Sequence, residues 1–276
     1  MLRLGYVIII SLPLIIYYIR RGAYIEKHSE RYTEEDRYAL AQKVIRIMQI
    51  NGAIRTRVYG TENLPETGGY VMYPNHQGKY DALGIMSVHK KPCTVVMDEK
   101  RSHLPIVGPF LKLIQGSTLD KTDMRSQVRT IQKMVREVQA GRRYIVFPEG
   151  GYDHNGNQVM EFMPGAFKTS IKSKTPIVPV AIIDSYKCFG TNTLGMVETQ
   201  VHFLKPIPYE EAAEMSTQEI ASVVRARIEA TIAKQLHATE DLQRCLDESE
   251  NLLDEDLAMS CMLEMRSRVQ DKRIIR

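Results

Sequence analysis

The sequence predicts an α/β domain built on a mixed sheet flanked by helices, with an N-terminal membrane-associated helical element ahead of it. Three observations lead there. Short β-prone runs alternate with segments of helical period through most of the chain. An apolar run from Leu4 to Ile19 lies between Arg3 and the pair Arg20-Arg21. An amphipathic segment follows it and ends near Asn51-Gly52.

The apolar run is broken only by Gly5, Ser11 and Pro13. As a helix it covers about 24 Å, short of the roughly 30 Å hydrocarbon layer. Three readings stand. A cleaved signal peptide wants small residues where Tyr17-Tyr18-Ile19-Arg20-Arg21 stands. A core helix of a soluble domain is the second. A membrane anchor is the third and the expectation, either a short span or a segment dipping into one leaflet around Pro13. Tyr17 and Tyr18 suit the interface, and Arg20 and Arg21 suit an anionic cytoplasmic surface. Next, Thr33 with Asp36 makes a capping box, and Leu40, Val44, Ile47 and Met48 form an apolar face. That face fits either the membrane or the protein body.

Beyond Val58-Tyr59-Gly60 and the Leu64-Pro65 turn, Tyr70-Val71-Met72-Tyr73 is a strand stopped by Pro74, and Ala82 to Val88 opens a buried helix. Thr94 to Met97 is a second buried strand. Thr122 caps a helix from Asp123 to about Ala140, with a stripe of Val128, Ile131, Val135 and Val138 and a stop at Gly141. Arg143 to Phe147 is a strand that delivers Pro148-Glu149-Gly150-Gly151. Pro176 to Ile183 is a strand interrupted by Pro179, and Val197 to Leu204 is a later one. Ser216 with Glu219 caps a long helix to about His237. Glu240 to Glu264 holds nine acidic residues against one arginine, which fits a docked or exposed helix. The last residues, Arg266 to Arg276, turn basic again. The organisation expected is a membrane anchor and amphipathic helix over 1–52, a main domain over 53–238 and a helical extension over 239–276.

Composition narrows the chemistry. A net charge of +4 is too mild for nucleic acid as a partner, but residues 1–60 carry ten Lys/Arg against five Asp/Glu. Cys93, Cys188, Cys245 and Cys261 show neither C-x-x-C nor a zinc or disulfide spacing, which suits idle thiols in a reducing compartment. No H-E-x-x-H, Walker A loop or G-x-G-x-x-G occurs, so neither metal nor bound nucleotide cofactor is expected. No two glycines stand four apart, which removes the G-x-S-x-G nucleophile elbow.

The strongest local signal is Asn75-His76-Gln77-Gly78-Lys79-Tyr80-Asp81. A histidine five residues before an aspartate can meet its carboxylate when the chain turns between them. The carboxylate then fixes the imidazole tautomer and stabilises the cation formed as the other nitrogen takes a proton. Gly78 eases the turn, and Asp81 falls at the start of a helix, where an ionised carboxylate is comfortable.

N-H-x-x-x-x-D, then Phe147-Pro148-Glu149-Gly150 about seventy residues later, resembles the glycerolipid acyltransferases, especially the lysophosphatidic acid acyltransferases. The resemblance covers roughly residues 55–210. It implies transfer of an acyl chain from acyl-CoA or acyl-carrier protein to the glycerol hydroxyl of lysophosphatidic acid, with no cofactor. It further implies His76 as base, oriented by Asp81, and a two-helix N-terminal element that seats the domain on membrane lipids. The place expected is the cytoplasmic face of a membrane, the bacterial plasma membrane. Lys100 aligns with a basic residue ahead of a P-x-x-G segment, here Pro105-Ile106-Val107-Gly108. Asp120-Lys121 stands for Asp-Arg, whose cation binds phosphate. Glu149, Gly150 and Gly151 are implied in substrate binding, and Ile177-Val178-Pro179-Val180 matches the last block. Two departures matter. The family continues F-P-E-G with Thr-Arg, and this chain has Gly151-Tyr152; the family's F-K-x-G is Phe162-Met163-Pro164-Gly165. Either Lys100 and Lys121, with Lys79 or Arg101, cover the phosphate, or the acceptor is another lysolipid. A hydrolase using the same pair on water, or a scaffold on a membrane, are the rival classes.

Overall fold

The computed structural model describes residues 2–251. Its seven strands are β1 (Ile54–Tyr59), β2 (Tyr70–Pro74), β3 (Thr94–Asp98), β4 (Ser117–Leu119), β5 (Arg143–Ile145), β6 (Ile177–Ile183) and β7 (Val197–Phe203). They form one sheet in the order β1-β7-β6-β2-β5-β3-β4. Every neighbouring pair is parallel except β6 and β7, so the sheet is mixed as expected. The hydrophobic runs decide who sits in the middle. All residues of β2 and β6 are buried, as strands covered on both faces must be. β1 and β4 take the edges.

Pro179 does not interrupt β6. The antiparallel ladder with β7 starts only at Val180–Phe203, and the Pro179 carbonyl accepts the Leu204 N–H at 3.0 Å. β4 was not expected, because Ser117-Thr118-Leu119 is too short to show a strand period. The strand ending at Phe147 stops in the ladder at Ile145, although Val146 N–H still reaches the Met72 carbonyl at 2.9 Å.

Of the helices, α1 (Leu2–Lys27) and α2 (Glu34–Asn51) precede the sheet. α3 (Asp81–Val88), α4 (Glu99–Ser102), α5 (Val107–Leu113) and α6 (Met124–Gln139) connect the parallel strands, with α7 (Lys168–Ser173) and α8 (Tyr186–Gly190) on either side of β6. α9 (Tyr209–Ala213) and α10 (Thr217–Asn251) complete the described chain. The described residues up to Glu229 form one compact unit, and those from Ala230 belong to a second. The Ser216–Glu219 capping box is present, and the helix it opens continues past His237 to Asn251. The rest of the acidic segment and the basic end lie outside the described residues. In α6 the cap is Asp123 rather than Thr122: its carboxylate accepts the Arg125 N–H, while the Thr122 hydroxyl turns back to Asp120. Val128 faces solvent, and Met134 joins Val138 as the buried contact. Gly141 stops the helix with a φ of 101°, a region other residues avoid.

α1 is longer than the apolar run. It passes Pro13 and Arg20-Arg21 and ends at Lys27, 26 residues and about 39 Å in all. By length and hydropathy it is able to cross a membrane. Arg3, Val7, Ser11, Gly22 and Ile25 are nevertheless buried, so both ends of the helix pack on the body, where α2 and α5 are its main neighbours. Arg3 is fully enclosed and donates to the carbonyls of Gly52, Thr193 and Gly195 at 2.6–3.1 Å. Ser11, a polar break in the run, accepts from Asn51 Nδ2 at 2.7 Å. The opposite face leaves Tyr6, Ile9, Ile10, Ile16 and Tyr17 exposed, Ile9 by 76%. In α2 the Thr33–Asp36 capping box forms as read, but the buried stripe is Tyr38, Ala41 and Ile45, while Val44 and Ile47 are half-buried. α2 therefore packs mainly on the body.

Arg3→Ala would leave three main-chain acceptors without their donor. Each buried unsatisfied group costs about 1–3 kcal/mol, so a clear fall in thermal midpoint is expected. Hydrogen exchange should rise around residues 191–196, the stretch that Arg3 holds to α1.

Candidate active site

The loops that carry the sequence motifs leave the sheet on one side. β6, β2, β5, β3 and β4 are consecutive and parallel, so their C-terminal ends line up at one edge. In that order the ends deliver Ser185, then His76 with Asp81, then Glu149 and Gly150, then Asp98 to Arg101, then Asp120 and Lys121. Open α/β sheets place their ligands at such an edge.

Asp81 is the first residue of α3, and its carboxylate is buried. Oδ2 meets His76 Nδ1 at 2.6 Å and accepts the N–H groups of Gln77 and Gly78 at 2.6 and 2.9 Å. Oδ1 accepts the Ser185 hydroxyl, which comes from the end of β6. With Nδ1 donating to Asp81, Nε2 is the nitrogen left to take a proton. The imidazole stacks on Phe147 at 4.1 Å between centroids and meets the edge of Tyr152 at 4.6 Å. Two motifs seventy residues apart thus clamp one ring.

The surrounding loop is pinned as firmly. Asn75 bonds both the N–H and the carbonyl of Ile182, extending the β2–β6 pairing past the strand end. Gln77 accepts from Ser185 N–H and donates to Ile182 and Asn157. Asp184 turns with a φ of 61°, a strained value for a non-glycine residue, and its N–H is held by Asn157. That turn points Ser185 at Asp81. Ser185, Gln77 and Asn157 were not singled out in the sequence. A serine just beyond a buried strand was a hint, but its partner lies 104 residues away.

Glu149 sits beneath the histidine. Its Oε1 accepts the His76 N–H at 3.1 Å, and Oε2 is buried with no hydrogen-bond partner. Burial pushes its carboxyl up to about 7, helped by the nearby Asp81 charge and opposed by the His76 N–H. Gly150 has a φ of 71°, a conformation that strains residues with a Cβ. The Gly150 N–H is taken by the Phe147 carbonyl. Lys121 donates to the Gly150 carbonyl and stands 3.8 Å from Asp98. Lys100 and Arg101 share α4 with exposed side chains. Lys100 adds to the field that, behind the Thr122 hydrogen bonds, holds the Asp120 carboxyl below its usual range. Arg101 lies over the Tyr152 ring at 5.2 Å. The structure brings every site residue expected from the sequence to one edge. Among the described residues no cluster of three His, Cys, Asp or Glu could hold a metal.

The Glu149 shift has a sign that can be checked. A carboxyl raised on folding contributes stability that is whole below its unfolded pKa and is lost as pH rises towards about 7. Glu149→Gln keeps the acceptor for His76 N–H and removes the titration. Between pH 5 and pH 8 the wild type should lose more thermal stability than Glu149→Gln does; equal losses would show that Glu149 ionises normally.

A family model described as Acyltransferase matches residues 55–183, the segment that holds both motifs. The 1-acyl-sn-glycerol-3-phosphate acyltransferase of Saccharomyces cerevisiae is 28% identical over 192 residues, 67% of this chain and 62% of the relative. The human 1-acyl-sn-glycerol-3-phosphate acyltransferase alpha is 27% identical, over 66% of this chain and 67% of its own. The crystal structure of the 1-acyl-sn-glycerophosphate acyltransferase PlsC from Thermotoga maritima shares the fold, with a TM-score of 0.68 at 18% identity over 84% of this chain and 95% of that one. Matched block, fold and relatives make the chain similar to the acyltransferases, and in particular to proteins named 1-acyl-sn-glycerol-3-phosphate acyltransferase.

Proposed function

We propose that this protein moves a fatty acyl chain from an acyl thioester to the free glycerol hydroxyl of lysophosphatidic acid, giving phosphatidic acid in phospholipid synthesis. The observation that carries it is the His76 Nδ1–Asp81 contact at 2.6 Å at an edge shared with Lys100, Arg101 and Lys121. Its relatives are named for this reaction.

His76 Nε2 takes the hydroxyl proton as the oxygen attacks the thioester carbonyl carbon. The imidazolium formed is held by Asp81. Collapse of the tetrahedral intermediate breaks the C–S bond, and the thiolate leaves with the proton from His76. A thioester is already activated, so no covalent enzyme intermediate is needed. The oxyanion needs donors, and since Phe147 occupies the Gly150 N–H, the Gly151 N–H is the candidate on this loop. Glu149 acts on the loop rather than on substrate, because its bonded oxygen faces the His76 main chain. Lys121 fixes the Gly150 carbonyl and keeps a charge near the acceptor's phosphate. The donor is acyl-CoA or acyl-carrier protein, with no cofactor.

The membrane seat follows from α1. α1 is held to the body at both ends, by Arg3, Val7 and Ser11 and by Gly22 and Ile25, which favours a helix lying along the membrane over one that crosses it. It lies in one leaflet instead, with Tyr6, Ile9, Ile10 and Ile16 among the lipid tails. Full burial of such a side chain is worth about 1.5–3 kcal/mol, so a face of this size holds without a span. The basic N-terminal segment suits the cytoplasmic face of an anionic membrane, as in the bacterial plasma membrane. Residues 1–52 are then the seat and 53–238 the transfer domain, with 239–276 an extension beyond it.

Purified enzyme in detergent, given labelled acyl thioester and a panel of lysolipids, should acylate lysophosphatidic acid. His76→Ala and Asp81→Ala should each lower transfer by about 10²–10⁴-fold with unchanged membrane pelleting. Near wild-type transfer by His76→Ala would overturn the mechanism. Release of free fatty acid without an acceptor would mark a hydrolase.

A further inference from the structure

The two oxygens of Asp81 are held from different parts of the chain. Oδ2 receives His76 Nδ1 and the N–H groups of Gln77 and Gly78, all from its own motif. Oδ1 receives the Ser185 hydroxyl, 104 residues further on. Both side chains are enclosed, since Asp81 and Ser185 are each exposed by 1%. The Cβ–Cγ torsion of an aspartate is broad, so it does not by itself hold the carboxylate plane. Without a donor on Oδ1 the group can twist and carry Oδ2 off the line of Nδ1.

The chain accepts strain to put that hydroxyl in place. Asp184, just before it, has a φ of 61°, a region where a non-glycine residue stays only if its surroundings hold it. Asn157 does so, accepting the Asp184 N–H and donating to its carboxylate, both at 2.9 Å. Gln77 accepts the Ser185 N–H at 2.9 Å and donates to Asn157 Oδ1 at the same distance. The neighbour of His76, the loop after the second motif and the end of β6 thus close one network around Ser185.

We propose that Ser185 is a positioning residue for acyl transfer: its hydroxyl sets the plane of the Asp81 carboxylate, which in turn aims His76. The inference rests on the acyl-transfer function proposed above. Ser185 is too enclosed to meet either substrate, so its effect reaches the reaction through Asp81. The bond matters most as the imidazolium forms, because the carboxylate must already be aligned with the new charge. A hydroxyl suits the place. It satisfies a lone pair of Asp81 but, being neutral, does not compete with the imidazolium as a counter-ion.

The test compares wild type, Ser185→Ala, Ser185→Cys and Ser185→Thr, each with and without Asp81→Ala, after melting curves show which fold. Measured are kcat, KM for lysophosphatidic acid, KM for the acyl thioester that wild type accepts, and the nitrogen-15 shifts of the His76 ring. Ser185→Ala should lower kcat by about tenfold or more, the scale of a lost hydrogen bond to a charged group, with both KM values unchanged. The preference for a proton on Nδ1 should weaken with it. Ser185→Thr keeps the hydroxyl and should restore both readouts. Ser185→Cys keeps the shape with a weak donor, and carries the same test should Ser185→Ala not fold. In the Asp81→Ala background, losing the hydroxyl should cost less than about twofold more, because its partner is already gone. Wild-type kcat and an unchanged ring in Ser185→Ala and Ser185→Cys overturn the assignment, as does a full additional loss without Asp81. A rise in KM at constant kcat overturns it too, since it would mark a substrate contact. Each of these leaves the transfer function standing. If wild type acylates no lysolipid, that function fails instead, and the ring shifts alone still decide whether Ser185 aims His76.

Discussion

The buried carboxylate of Asp81 organises the sheet edge that carries the proposed site. Taking a carboxylate out of water costs several kcal/mol unless its lone pairs are met. Here they are met by His76, by the main chain of Gln77 and Gly78, and by Ser185 from a different strand end. One charge therefore closes the loop after β2, ties it to the turn after β6 and aims the imidazole. The ring has little freedom left. Phe147 covers one face, and Glu149 grips the His76 backbone from the neighbouring strand end. Pre-set geometry of this kind lets a base act without reorganising as the reaction proceeds.

That arrangement depends in turn on five parallel strands standing side by side. Had β2 and β5 run antiparallel, their two motifs would leave from opposite ends of the sheet. The burial of every residue in β2 and β6 fixes these strands at the centre. The α1 helix uses the body differently. Its inner contacts, anchored by Arg3 and Ser11, commit one face to protein and leave apolar residues of the opposite face exposed. α1 and the edge that carries His76 are thus parts of one packed unit, which suits the proposed seat on a bilayer that also holds the acceptor.

Much of this was legible in the sequence, for physical reasons that differ from element to element. His76 and Asp81 are five residues apart, so their contact is local and readable. Both capping boxes are likewise local, and both formed. The α/β alternation showed because central strands are apolar throughout and the helices between them keep their period. What escaped was either short or long-range. β4 is three residues with no pattern to see. The cap of α6 fell on Asp123 because Asp120 captured the Thr122 hydroxyl first. α1 outlasts the apolar run because it continues through Arg20-Arg21 and Gly22, which no apolar pattern marks, to Lys27. Ser185 and Tyr152 carry no motif of their own; only the fold brings one to Asp81 and the other to His76.

The central claim is that Asp81 holds His76 with a proton on Nδ1 and leaves Nε2 as the base. Nitrogen-15 shifts of the His76 ring, in protein labelled at histidine and assigned with His76→Gln, measure this at neutral pH. Expected are a protonated Nδ1 and an unprotonated Nε2 in the wild type, and loss of that preference in Asp81→Asn, which can no longer receive the proton's hydrogen bond as a carboxylate does. A wild-type ring protonated on Nε2, or a tautomer unchanged by Asp81→Asn, would contradict it.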